Sequence, residues 1–151
     1  MQPSLKTYRC SSIIKTSLEE MLRFHQDPRA LSMLTPPPII VQIVRDERTS
    51  LTQGELLFRL WFGPLPVLWL ARHEQGSTPT SFIDRMIIGP MANWQHEHRF
   101  QEVAGGVALT DEVTFAHHTG WRGFFTRMMF DGAPLKFLFF YRHLRTKRAL
   151  E

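Results

Sequence analysis

The sequence predicts an α+β protein in which a curved antiparallel sheet of about seven strands wraps a long C-terminal helix, with two short helices after the first strand. Three observations carry this. From Ile39 to Phe115 the chain runs in short segments rich in β-branched and aromatic residues, separated by polar or Gly/Pro turns, as in an antiparallel meander. One strand and two short helical segments precede that region, and a long helical segment follows it. A sheet with one apolar face must cover it, and the C-terminal helix is the cover at hand. A strongly bent sheet around one helix leaves a gap, which is where a ligand could lie.

Leu5 to Ile14 reads as the first strand and ends in two β-branched residues. Ser17, with Glu20 three residues on, is a capping-box pattern. Leu18, Met21, Leu22 and Phe24 give a rough helical stripe that Asp27-Pro28 ends. Arg29 to Leu34 forms a second short helix, stopped by Pro36-Pro37-Pro38. Strands are then expected over Ile39–Arg45, Leu51–Phe62, Val67–Glu74, Ser81–Ile88, Trp94–Val103 and Val107–Phe115, with Ala104-Gly105-Gly106 as a hairpin turn. Gly120 to Phe130 is aromatic, Met-rich and ambiguous: a flexible lid over a cavity mouth, or plain packing. Ala133 to Leu150 reads as a helix with Pro134 in its first turn, where proline is tolerated. Phe137, Phe140, Tyr141 and Leu144 fall at i, i+3, i+4 and i+7 and are expected to share its buried face.

The 151 residues suit one domain with one sizeable core, so residues 1–151 are read as a single ligand-binding domain. A hydrophobic content of 43% with 21% charged residues excludes a disordered chain. The 12 Phe, 4 Trp and 2 Tyr either fill a core or line a pocket. The net charge is +4, with Lys136, Arg142, Arg145, Lys147 and Arg148 in the last helix. No aromatic–basic recognition motif accompanies that cluster. A solvated helix end complementing the helix dipole is therefore expected, with no nucleic-acid partner. Cys10 is the one cysteine, so no internal disulfide forms, and it reads as a structural thiol more readily than a nucleophile. The N-terminal Met-Gln-Pro-Ser-Leu-Lys has no apolar h-region, and no window reaches the roughly 18 apolar residues of a membrane span, so a cytoplasmic protein is expected.

The most informative stretch is Trp94-Gln95-His96-Glu97-His98-Arg99-Phe100. Side chains alternate across a strand. Trp94, His96, His98 and Phe100 then share the inward face, and Gln95, Glu97, Arg99 and Gln101 the solvent face. Three readings fit the two histidines. They are a metal pair completed by Asp84 or Asp111, polar fixtures that hydrogen-bond a ligand or exchange protons with it, or satisfied polar residues of the fold. Asp84, between Phe82 and Met86, and Asp111, between Leu109 and Val113, stand on apolar faces. A buried carboxylate is costly unless paired, so pairing with His96, His98 or an inward arginine is expected. His96, His98, Asp84 and Asp111 are the catalytic candidates. Trp69, Trp94, His96, His98, Phe100, Asp84, Phe137 and Tyr141 are the candidate ligand-binding residues. No metal site and no cofactor is expected. The chain contains no Walker loop, dinucleotide fingerprint, nucleophile elbow, CxxC or His-Glu-x-x-His pattern.

The element order, Leu34-Thr35-Pro36-Pro37, Phe82-Ile83-Asp84, Gly89-Pro90, Trp94-x-His96-x-His98-x-Phe100, and Arg142 after Phe139-Phe140-Tyr141 resemble the START-like, or SRPBCC, superfamily with its helix-grip fold. The resemblance covers nearly the whole chain and is similar to a bacterial subgroup of ligand-binding or cyclase/dehydrase-like proteins. It implies binding of a hydrophobic small molecule (a lipid, polyketide or aromatic metabolite) between sheet and helix. The superfamily has no shared catalytic motif to carry over. A branch with an iron–sulfur site is excluded by the single cysteine. The carrier reading ranks above a cofactor-free polyketide cyclase, aromatase or dehydratase using the inward His and Asp residues. A protein-interaction or stress-response module ranks third, and a homodimer is compatible with all three.

Overall fold

A computed structural model describes residues 3–151; Met1 and Gln2, part of the stretch read for a leader, lie outside the described residues. Seven strands form one antiparallel sheet: β1 (Lys6–Ile14), β2 (Ile40–Asp46), β3 (Gly54–Phe62), β4 (Leu65–Gln75), β5 (Ser81–Ile88), β6 (Asn93–Val103) and β7 (Gly106–Ala116). Their order across the sheet is β1-β7-β6-β5-β4-β3-β2. The first strand thus closes against the last, and the intervening strands follow as hairpins.

Between β1 and β2 lie α1 (Leu18–Gln26) and α2 (Ala30–Met33). The Ser17 hydroxyl accepts the Glu20 amide and caps α1, but the Glu20 carboxylate turns to Arg23 at 2.6 Å. Only half of the capping box forms. The β6–β7 hairpin turns on Ala104-Gly105, where Gly105 holds φ +88°, a conformation open to glycine and strained for other residues. The ambiguous segment becomes a 3-10 turn, Gly120–Gly123, and a short helix, α3 (Phe124–Met129). Met129 and Phe130 face the interior; Trp121, Phe124 and Met128 face solvent.

The last helix, α4 (Gly132–Leu150), crosses the concave face of the sheet, capped by Asp131, whose carboxylate accepts the Gly132 amide at 2.8 Å. Its buried face corrects the expectation. Leu135, Phe139, His143 and Thr146 are buried, whereas Phe137 and Phe140 are more than half exposed. The aromatic stripe is the more apolar one, but the sheet opposite carries a buried carboxylate, Asp111, which draws His143 inward. A satisfied buried charge outweighs the burial of one further ring.

Two apolar clusters form the core. One joins Leu56, Phe58 and Trp69 to Trp94, Phe130, Leu135 and Phe139, and the other joins Ile14, Met21 and Phe82 to Phe100 and Leu109. The outer-face assignment of β6 needs one change. Glu97 is buried, because the β4–β5 loop folds over it and Ser77 donates both its amide and its hydroxyl to the carboxylate at 2.6 Å. No described helix is long and apolar enough to cross a membrane.

Candidate functional site

A cavity of about 440 Å³ lies between the sheet and α4. Strands β3 and β4 supply Leu60, Phe58 and Trp69, β6 supplies Trp94, and the helical segments close it with Leu31, Phe130 and Leu138. Apolar side chains dominate the wall; Thr35, whose hydroxyl is spent on the Leu31 carbonyl, His73, Asp84, His96 and Arg142 break it. The volume is in the range of sites that enclose a small molecule.

Strand register explains the polar part. His73 on β4 stands opposite Asp84 on β5, which stands opposite His96 on β6. Two residues along β6, His98 stands opposite Asp111 on β7. Directly opposed residues come within side-chain reach, and so do their diagonal neighbours. The shortest contacts here are the diagonal ones. His96 Nε2 donates to Asp111 Oδ1 at 2.7 Å, and His98 Nε2 donates to Asp84 Oδ2 at 2.7 Å. His98 Nδ1 lies 3.2 Å from Asp111 Oδ1. His143 Nε2 donates to Asp111 Oδ2 at 2.7 Å, and Ser12 Oγ meets His143 Nδ1 at 2.5 Å. Phe82 stacks on His98 at 4.2 Å, and His96 stacks on its other side at 3.7 Å.

An ionised carboxylate only accepts hydrogen bonds, so each imidazole nitrogen within about 3.2 Å of one carries a proton. His98 faces carboxylates with both nitrogens and is therefore an imidazolium, sandwiched between the Phe82 ring and His96. Burial opposes that charge, but the ring's hydrogen bonds to the Asp111 and Asp84 carboxylates and their charges outweigh it and raise the His98 pKa. Burial, followed by the charge of His98, lowers the pKa of His96, which is neutral. Burial alone would raise the pKa of Asp84 and Asp111, but the surrounding imidazoles hold both well below the usual carboxylate range. His73 donates through Nδ1 to the Leu51 carbonyl at 3.0 Å, and burial lowers its pKa.

With Nε2 protonated, neutral His96 has a lone pair on Nδ1. That atom lies 3.5 Å from Asp84 Oδ2, and both residues line the cavity. Two acceptors thus face each other at the wall. A ligand hydroxyl or amine could donate to either, and His96 could take a proton while Asp111 fixes its ring. One donor atom each from Asp84, His96 and His98 falls within 4.8 Å of the others. A cation there would require His98 to give up a carboxylate bond.

Of the residues singled out from sequence, Trp69, Asp84, Trp94, His96 and Phe137 line the cavity. His98 lies one layer behind, under Asp84 and Phe82, and Asp111 lies behind both histidines. Phe100 is outside the wall, in the second apolar cluster, because two residues of strand carry it past the cavity. Tyr141 is also outside, at the edge of α4, since the helix turns His143 to the sheet. Cys10 sits opposite Asp111, where burial and then that carboxylate raise its pKa and keep the thiol protonated. Ser12, His25, His73 and His143 were not singled out, for want of a spacing motif. Arg142, read as part of a solvated basic tail, faces the cavity.

The sheet, the covering helix and the cavity define a helix-grip protein. No family model matches the chain, and no curated protein does either. Solved structures share the fold. A nucleoside-diphosphate sugar epimerase from Corynebacterium glutamicum is 25% identical over 93% of this chain, with a TM-score of 0.67, and the chain spans 28% of that protein's length. The ginseng major latex-like protein 151 from Panax ginseng is 8% identical, with a TM-score of 0.68 and 97% of each chain covered. The Zhui aromatase/cyclase from Streptomyces sp. R1128 is 13% identical over 97% of this chain and 91% of that one, with a TM-score of 0.62.

Proposed function

We propose that this protein is a START-like binding protein that encloses a hydrophobic small molecule, such as a lipid, polyketide or aromatic metabolite, between its sheet and α4. The observation that carries the reading is the 440 Å³ cavity, walled by aromatic and aliphatic side chains with the polar side chains His73, Asp84, His96 and Arg142 among them. The apolar body of a ligand loses contact with water against Trp69, Trp94 and Phe130, which stabilises it by roughly 25 cal/mol for each Å² buried. The acceptor pair of His96 and Asp84 orients it by taking a hydrogen bond. Trp69, Asp84, Trp94, His96 and Phe137 are the contacts in this reading, and His98 acts through Asp84. A neutral fluorophore, N-phenyl-1-naphthylamine, tests it. One saturable site per chain is expected, lost when Ala71→Phe fills the cavity and the urea midpoint shows the fold intact. No saturable binding, or binding indifferent to the filled cavity, would overturn it.

A second reading has one specific observation behind it. His96 lines the cavity with Nδ1 beside Asp84 while its Nε2–H is held by Asp111, an arrangement suited to removing a proton beside a carbonyl. A cyclase- or dehydratase-like reaction on a polyketide-like substrate would use it. Turnover lost in His96→Asn, with fluorophore binding retained, supports that reading; turnover unchanged removes it.

A further inference from the structure

We infer that Arg142 anchors an anionic group, and that the ligand of this cavity is an apolar molecule bearing a carboxylate. The inference rests on the cavity being a binding site. Among the described residues, Arg142 is the one Lys or Arg in the cavity wall. Its guanidinium makes no ion pair or hydrogen bond with any described residue, whereas Arg9, Arg85 and Arg99 on the outer face each reach a carboxylate. Arg142 is partly buried and has no carboxylate within 4.0 Å, so a ligand anion would supply the direct partner it lacks among the described residues. The contact Arg142 does make is with the Phe139 ring, 6.0 Å from its Cζ atom, and Phe139 in turn meets His96 edge-on at 5.2 Å.

The helix sets the geometry. Pro134, Leu138 and Arg142 all line the cavity and follow one another at four-residue spacing, so they form one stripe along α4. Two apolar positions are followed by a cation. Eight residues of helix span about 12 Å, the length of a chain of some ten carbons. A molecule lying along the stripe buries its body against Pro134 and Leu138 and delivers its head to Arg142. Ionised Asp84 repels an anion from the other polar part of the wall, so the two sites sort a ligand's groups: hydrogen-bond donors to Asp84 and His96, the anion to Arg142. The planar guanidinium fork matches a carboxylate with two parallel N–H···O bonds.

Calorimetric titration of decanoate and decanol into the intact protein at neutral pH tests this, with Arg142→Gln and Arg142→Lys alongside. Decanoate is expected to bind wild type at least tenfold more tightly than decanol and to weaken as salt is added. Arg142→Gln is expected to lose tenfold or more for decanoate and nothing for decanol. Arg142→Lys falls between, because it keeps the charge and loses the fork. Equal affinities of acid and alcohol for wild type, or Arg142→Gln changing both alike or neither, would overturn the role of Arg142 and leave the cavity reading standing. Failure of both compounds to bind wild type would overturn the cavity reading together with it.

Discussion

His96 Nδ1 and Asp84 Oδ2 face each other across 3.5 Å at the cavity wall, and neither has a proton to offer the other. The pair follows from what lies behind it. Asp111 takes the Nε2–H of His96, and His98 occupies Asp84 from the far side. A ligand that donates a hydrogen bond at this point meets two acceptors, whereas one that only accepts meets repulsion. A hydrogen bond to a charged acceptor is worth about 1.5–3 kcal/mol. An apolar alcohol is therefore expected to bind at least tenfold more tightly than its methyl ether. Calorimetry on such a matched pair checks this, and equal affinities would count against the acceptor pair.

Asp111 is the hub of the buried cluster, with His96, His98 and His143 all turned to it. Its removal strands three imidazoles, one of them charged. Asp111→Ala is expected to cost about 3–5 kcal/mol of stability, the range for breaking a buried ion pair. Arg9→Gln, which removes the exposed partner of Glu112, is expected to cost under about 1 kcal/mol. Urea unfolding compares the two, and similar losses would mean the cluster is not the internal brace described here.

Stability is expected to fall as pH drops below neutrality. His25 is packed among Phe24, Phe82 and Phe100, and burial first, then the charge of His98, pushes its pKa down from 6.5 to about 3. Between those values the unfolded chain binds the proton and the folded chain does not, so this residue removes up to ~1.4 kcal/mol per pH unit as pH falls. His98 has the opposite sign: its raised pKa gives stability that is full below the unfolded value and is lost as pH rises through the folded one. His25→Gln keeps a donor for the Met21 carbonyl and abolishes the titration. The urea midpoint of that variant is expected to depend less steeply on pH between about 6 and 4; an unchanged slope would assign the acid sensitivity elsewhere.

Metal is not expected to brace the cluster. Both nitrogens of His98 are committed to carboxylates, which leaves His96 Nδ1 and Asp84 as free donors, one short of the usual three protein ligands of a catalytic zinc. Zinc ions and a chelator should each leave the thermal midpoint unchanged. A rise of several degrees with zinc would show that His98 gives up its protons to the ion.

Much of this was legible in the sequence because it depends on period two. Alternation along Trp94–Phe100 turned His96 and His98 inward, and the same count on two other strands turned Asp84 and Asp111 to meet them. Strand register then decided which pairs form, and register is not written in any one segment. It brought His73 to Asp84, a meeting no local pattern announces. The helix was harder. Apolarity favoured the Phe137–Phe140–Tyr141 stripe, while the buried face followed a polar partner on the sheet. Once His143 turned to Asp111, Arg142 came round to the cavity, and a residue that looks like part of a basic tail became part of the wall.

The central claim is that the space between sheet and helix takes up an apolar ligand, and the four indole N–H resonances test it most directly. Trp69 and Trp94 line the cavity, whereas Trp61 donates its indole N–H to Gln42 at 2.9 Å and Trp121 is 86% exposed. Titration of N-phenyl-1-naphthylamine into isotopically labelled protein should shift the Trp69 and Trp94 signals in a saturable way and leave Trp61 and Trp121 in place. Shifts confined to Trp121, with the two cavity indoles unmoved, would place binding on the outer surface and contradict the account.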